Sequence, residues 1–385
     1  MPTSLRSQFL LDPAVVFLNH GSFGACPRPV FDEYQRWQLE LERQPVEFLG
    51  RRFPALMRAA RAALGAYLGV PADDLVYVAN ATVAINIVAR SLRLAPGDEI
   101  LTTDHEYGAM DRTWRFLCAQ SGARYVTRPV AVPVADPAAL VEEFWRGVTP
   151  RTRVIFLSHI TSPTALTLPV QAICQRARAA GILSIVDGAH AIGQLPLDLA
   201  ALGADVYTSN CHKWLGSPKG SAFLYVRPDC QALVAPLVVS WGWQSEAPGP
   251  SRFVDEQEWT GTRDIAAYLA TPAAIAFQRD HDWEAVRAGC HALAVDVQAR
   301  VGALTGLPPL SPPDWFTQMV ALPLPACDRD ALKTRLYAEY RVEAPVITWN
   351  GRQLIRISVQ GYNTPADIDR LLEGLRALLP AVARP

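Results

Sequence analysis

The sequence predicts an α/β protein: a large domain built on a mostly parallel sheet covered by helices on both faces, with a smaller α+β domain. Three observations predict it. From residue 75 onward short apolar runs alternate with helical stretches. Near residue 240 this texture breaks at Trp241-Gly242-Trp243 and a polar segment, 245–251. Beyond it the order becomes long helix, strand, helix, strand, helix. With 385 residues, 50% of them hydrophobic, the chain can fill two cores. The boundaries expected are an N-terminal segment, 1–45, associated with the small domain; a large domain, 46–245; and a small C-terminal domain, 246–385.

Residues 17–24, Phe17-Leu18-Asn19-His20-Gly21-Ser22-Phe23-Gly24, run from an apolar pair into a Gly-rich polar turn, for which a surface loop is the dull alternative to a functional segment. Residues 28–68 are helical, with Leu39, Leu41, Phe48, Leu56, Ala60 and Leu64 among the apolar positions and Pro45 and Pro54 dividing the stretch. The apolar runs 75–78, 100–102, 124–126, 154–157, 183–186, 206–207 and 222–226 are the expected strands. Stretches 84–92, 112–120, 137–145 and 171–180 lie between most of them as helices. A helix is expected from about 265 to 301 with Gly302 as its stop, then a strand at 318–322, a helix at 328–340, a strand at 354–359 and an amphipathic helix at 365–379. Open parallel sheets bind ligands beyond the carboxyl ends of their strands, so the residues after each run are the candidates for function.

Lys plus Arg (36) and Asp plus Glu (37) nearly cancel and no basic run occurs, which argues against a nucleic-acid partner. Every apolar run is interrupted well before the roughly 18 residues a membrane span needs, and Met-Pro-Thr-Ser-Leu-Arg-Ser has no apolar signal region. The seven cysteines are scattered singly, as expected of free thiols in a reducing compartment, and a cytoplasmic location is the expectation.

The run 183–186 ends in Asp187, with His190 close behind, and the run 206–207 leads to Asn210-Cys211-His212-Lys213-Trp214. Two such strand ends can put a carboxylate and an amine in one pocket. An aldehyde cofactor with a pyridine ring needs both: an amine for the Schiff base, and an anion to keep the ring nitrogen protonated. After 76–78 comes Asn80-Ala81-Thr82, opening a helix whose free N–H groups suit a phosphate, although Asn80 equally reads as a helix cap. Asp104-His105-Glu106-Tyr107 offers two flat rings for stacking, and Ser158-His159-Ile160-Thr161-Ser162-Pro163-Thr164 is dense in donors and acceptors. Four histidines (105, 159, 190 and 212) at successive strand ends argue against a merely structural role for all of them. Metal binding is the competing chemistry. Only Asp187-x-x-His190 has a ligating spacing, however, and a metal would leave Lys213 without a role, so none is expected.

As a set these residues resemble the class V branch of the fold-type I pyridoxal 5′-phosphate enzymes over roughly residues 15–380. The wording of 18–24 and 210–214 is most similar to the isopenicillin N epimerase-like subgroup. The resemblance implies that Lys213 forms the Schiff base and moves protons at Cα, that Asp187 pairs with the pyridinium nitrogen, and that His190 sits near the phenolic oxygen. It also implies that His105 stacks on the ring, with Tyr107 as the alternative, and that Ala81, Thr82, Asn210 and His212 bind the phosphate, with Ser162 a further cofactor contact. Gly261-Thr262 matches a segment that reaches the phosphate of the neighbouring subunit, which implies a homodimer with shared sites. Arg356 matches the arginine that grips the substrate α-carboxylate, with Asn19, His20 and Tyr107 as further substrate contacts.

Stretch 341–351, where a cysteine desulfurase would carry its persulfide-forming cysteine, has none. Cys327 lies too early, and Cys211 reads as packing. Epimerisation or racemisation of an amino acid is therefore the expected reaction, with C–S β-elimination or transamination as alternatives. A second proton donor is not identified, and His20 and Tyr107 are the candidates. Trp241, Trp243 and Trp349 read either as a roomy apolar substrate pocket or as packing at a domain or subunit interface.

Overall fold

The computed structural model describes residues 5–383. The chain enters through a two-residue strand, β1 (Val16–Phe17), followed by helices at Arg28–Arg43 and Phe53–Leu68 that are joined by a wide turn at Val46–Arg52. Proline stands in the first turn of both helices, where the missing N–H has no helical partner to lose.

Seven strands follow: β2 (Leu75–Val78), β3 (Glu99–Thr103), β4 (Arg124–Arg128), β5 (Thr152–Ser158), β6 (Leu183–Asp187), β7 (Val206–Ser209) and β8 (Ala222–Val226). They form one sheet in the order β2-β8-β7-β6-β5-β3-β4. Pairing from β4 through β7 is parallel, and β8 runs antiparallel to both its neighbours. Alternation along β5 shows why both faces are covered. Val154 and Phe156 join the cluster that contains Ile85, Met110 and Trp114, whereas Ile155 and Leu157 join the cluster that contains Leu64 and Ile173. The carboxyl ends of β3, β5, β6 and β7 consequently open along one edge of the sheet.

The C-terminal part carries β9 (Met319–Leu324), β10 (Val342–Glu343), β11 (Val346–Trp349) and β12 (Arg352–Ser358). Strands β11-β12-β9 form an antiparallel sheet, and β10 pairs with β1. The Ser358 N–H extends that link by donating to Leu18 O at 2.8 Å, so the N-terminal segment is stitched to the C-terminal sheet. Among the described residues no helix is long and apolar enough to cross a membrane.

Two expectations are corrected. The helix expected over 265–301 is three: Ala266–Leu269, Thr271–Asp280 and Trp283–Thr305. Pro272 starts the second, and Asp282, in a left-handed conformation, caps the third through Ala285 N–H. Gly302 lies inside the last helix, which ends at Gly306 with φ +70°. The second correction concerns 17–24, which is not a surface loop: His20–Phe23 is a helical turn whose His20 and Gly21 are buried.

Candidate active site

Strand β7 delivers Lys213 through Asn210 and a wide turn, Cys211–Leu215, closed by Gly216 at φ +85°. The turn is braced from behind. His20 Nε2 bonds Lys213 O at 3.0 Å and its Nδ1 lies 2.9 Å from the Tyr362 hydroxyl. Gly24 lies so close that a Cβ there would sit 2.1 Å from His212 O, and its φ of +71° also favours glycine. The lysine that emerges is half-buried and lines a cleft. Burial, then the nearby charge of Arg356, lowers the Lys213 pKa to about 8 against the partial opposition of Asp187. A lysine in this state supplies neutral, nucleophilic amine near neutral pH.

Asp187 ends β6, one strand away. One of its oxygens accepts from Ala189 N–H at 2.9 Å. Burial raises its pKa, while that N–H and Lys213 hold it down. His190 follows on the same turn with Nε2 3.3 Å from Lys213 Nζ, and its Nδ1 accepts from Trp214 Nε1–H at 3.2 Å. Burial, with the Lys213 and Arg356 charges, holds the imidazole neutral.

After β2, Asn80 caps the helix Ala81–Ser91 by accepting from Val83 N–H, and Asn210 Oδ1 accepts from Ala81 N–H at 2.9 Å. The cap reading of Asn80 is therefore correct, and the N–H and hydroxyl of Thr82 are left at the helix's positive end. His212 is anchored through Nδ1 to Ser221 O, and burial lowers its pKa to about 4. Arg356, on β12, is buried; its Nη1 donates to Ser162 O and Oγ and its Nη2 to Ser22 Oγ. Its Nε has no partner, and among the described residues no carboxylate pairs with the guanidinium. Burial lowers its pKa to about 10. A buried cation with an unused donor calls for an anion.

Thr82, Tyr107, Ser162, Asp187, His190 and Lys213 line one cleft of about 270 Å³, together with Ala81, Asn210 and His212. Several expected residues are not there. His105 is fully buried, bonded to Thr164 Oγ1 and Val130 O, and packed on Trp349 at 4.3 Å, so it has no face to offer a ring in the cleft. Tyr107, two residues on and 48% exposed, lines the cleft instead. His20 is enclosed behind the Lys213 turn, and the Asn19 side chain is occupied by Glu343 and Ser22; neither lines the cleft. His159 is bonded to the Tyr207 hydroxyl, so two of the four strand-end histidines are structural. Gly261 and Thr262 do not line this chain's own cleft. Trp349 is tied through Nε1 to Asp104 O, while Trp241 is 81% exposed. Neither tryptophan walls the cleft.

Ser22 and Phe23 line the cleft, and sequence reasoning missed both; the small-residue turn Gly21-Ser22-Phe23-Gly24 was the available signal. It also missed Glu106, whose buried carboxyl accepts from Thr103 and Ser158 and is pushed up to about 8 by burial. The assembled donors fit pyridoxal 5′-phosphate. The low-pKa amine of Lys213 suits its aldehyde, Asp187 its ring nitrogen and Thr82 its phosphate, and the unpaired donor of Arg356 remains for a substrate anion.

Comparison with known proteins places the chain in a family. Residues 25–371 match the family model Aminotransferase class-V. The chain is 38% identical to isopenicillin N epimerase of Amycolatopsis lactamdurans, covering 97% of each chain. It is 30% identical to putative L-cysteine desulfhydrase 1 of Oryza sativa subsp. japonica over 97% of this chain and 86% of that one. A C-DES mutant with glycine covalently linked to its PLP cofactor superposes with TM-score 0.85 at 24% identity, covering 98% of this chain and 99% of that one, so the fold is that of the fold-type I enzymes. The chain belongs to the aminotransferase class-V family of pyridoxal 5′-phosphate enzymes.

Proposed function

We propose that the protein is an amino-acid epimerase or racemase that works as a homodimer with shared sites. The observation that carries this reading is a cleft lined by the low-pKa amine of Lys213 and the Asp187 carboxyl, with the acid-free guanidinium of Arg356 held just behind its wall by Ser162 and Ser22. Its likeness to isopenicillin N epimerase, higher than to the desulfhydrase, supports inversion over elimination. Residues 342–358 contain no cysteine, which argues against persulfide transfer.

Bound pyridoxal phosphate supplies an aldehyde that condenses with an amine and a cationic ring that accepts the electrons left at Cα. The protein does the rest. Arg356 would orient the substrate by its α-carboxylate, Lys213 would remove the α-proton, and Asp187 would supply the negative charge that favours a protonated ring nitrogen. Thr82, in the first turn of its helix, would hold the phosphate. Inversion needs a proton carrier on the other face. Of the two candidates weighed, His20 and Tyr107, only Tyr107 lines the cleft.

The C–S lyase reading uses the same residues, and the desulfhydrase relative favours keeping it as the alternative. Incubation with a panel of amino acids in heavy water separates the outcomes. Deuterium at Cα with loss of optical purity is the expected result, whereas pyruvate with released sulfide or thiol would establish elimination instead. The cofactor role of Lys213 has its own test: the purified protein should be yellow, and Lys213→Ala should lose the visible band.

A further inference from the structure

The turn that presents Lys213 also presents its neighbour, Trp214, to the opposite side of His190. An indole N–H can only donate. Because Trp214 Nε1 lies 3.2 Å from His190 Nδ1, that nitrogen must be bare. A neutral imidazole with a bare Nδ1 carries its hydrogen on Nε2, the atom 3.3 Å from Lys213 Nζ. Both supporting groups are held. Trp214 is buried with its ring 4.9 Å from that of His20, and the backbone of His190 is pinned by Gln194 Nε2 donating to His190 O at 2.6 Å.

We propose that Trp214 is a positioning residue: by occupying His190 Nδ1 it fixes the Nε2–H tautomer and aims that single N–H at the Lys213 amine. A neutral amine there finds a donor, whereas an ammonium finds a ring nitrogen that cannot accept. The tautomer thus favours the amine form needed to capture an aldehyde or take a proton from Cα. The other charged or titratable groups facing the pair are Asp187 from β6, Arg356 from β12 and His20 from the turn behind. Asp187 favours the ammonium, so the ring works with the Arg356 charge and against the carboxyl.

The use of this N–H rests on the proposed function, but its existence does not, and the test is run on full-length protein freed of cofactor. Nitrogen-15 spectra of histidine-labelled protein, with His190→Gln assigning the ring, should show hydrogen on Nε2 and none on Nδ1. Trp214→Phe keeps an aromatic ring but removes the donor, and should let the Nδ1–H form appear. The chain has three lysines, so carbon-13 label at the lysine ε-carbon follows Lys213 directly. Trp214→Phe should raise its titration midpoint by about one unit, the worth of one hydrogen bond to a charged group. In the His190→Gln background the same change should shift it no further. A wild-type ring carrying hydrogen on Nδ1, an unchanged tautomer in Trp214→Phe, or an equal lysine shift in both backgrounds would each overturn the proposal. Failure of the heavy-water experiment would leave these readings intact.

Discussion

At the residue scale, burial decides what each ionisable group can do. The Lys213 pKa of about 8 predicts that capture of pyridoxal phosphate by the apoprotein speeds up about tenfold per pH unit below that value and levels off above it, measured from the visible band. A lysine whose folded pKa lies below its ordinary 10.5 binds fewer protons folded than unfolded between the two values. Lys213 therefore makes apoprotein stability rise from pH 8 to 10.5. Arg356→Lys keeps the charge but loses the fork, so kcat/KM should fall about 100-fold while the visible band persists. A band lost along with activity would place Arg356 in cofactor binding instead. Tyr107→Phe should slow epimerisation by about 100-fold or more, with α-proton exchange from the starting enantiomer retained because Lys213 serves that face. Equal loss of both would remove Tyr107 as the second proton carrier. Asp187, Lys213 and Arg356 were legible because a charge beside an apolar run needs a reason. Which aromatic lines the cleft was not, because His105 and Tyr107 differ by two residues and only the turn after β3 decides which side chain reaches it.

At the element scale, the strands were the most legible part, since residues buried on both faces write continuous apolar runs. The turn His20–Phe23 was illegible as a buried element because its environment comes from distant segments: Lys213 O on one side and Tyr362 on the other. Gly24 locks the two together, and Gly24→Ala should push the His212–Lys213 backbone out of place. We expect stability to fall by about 2 kcal/mol or more in urea titration, with weaker retention of cofactor. A second turn left a signal in the sequence that went unread. Asn350-Gly351, both with positive φ, closes the β11–β12 hairpin, and Asn350 Nδ2 donates to Asp104 Oδ2 at 2.6 Å. Asn-Gly between apolar runs is a strong hairpin mark.

At the scale of the whole molecule, one chain leaves features that a second copy would complete. Leu233, Leu237, Val238, Val239 and Trp241 are exposed within ten residues of sequence, and Gly261-Thr262 stands apart from the cleft of its own chain. The proposed homodimer predicts a mass of twice 42.1 kDa by sedimentation equilibrium. If sites are shared, Lys213→Ala mixed with a variant altered at Thr262 should recover up to about a quarter of wild-type activity, because half of the reassorted dimers hold one intact site of two. No recovery after verified subunit exchange would mean that each chain completes its own site.

By itself the sequence determined the α/β class and the strand order along the chain, and it singled out an acid, an amine and a guanidinium as the candidates for cofactor chemistry. These follow from local pattern: apolar runs set strands, and charges at their ends stand out. Tertiary structure alone decided that His190 and His212 line the cleft while His105 and His159 are enclosed, that Tyr107 rather than His105 reaches it, and that Trp214 sits on His190 Nδ1. Such roles depend on which partner fills each hydrogen-bonding position, and those partners arrive from segments remote in the chain.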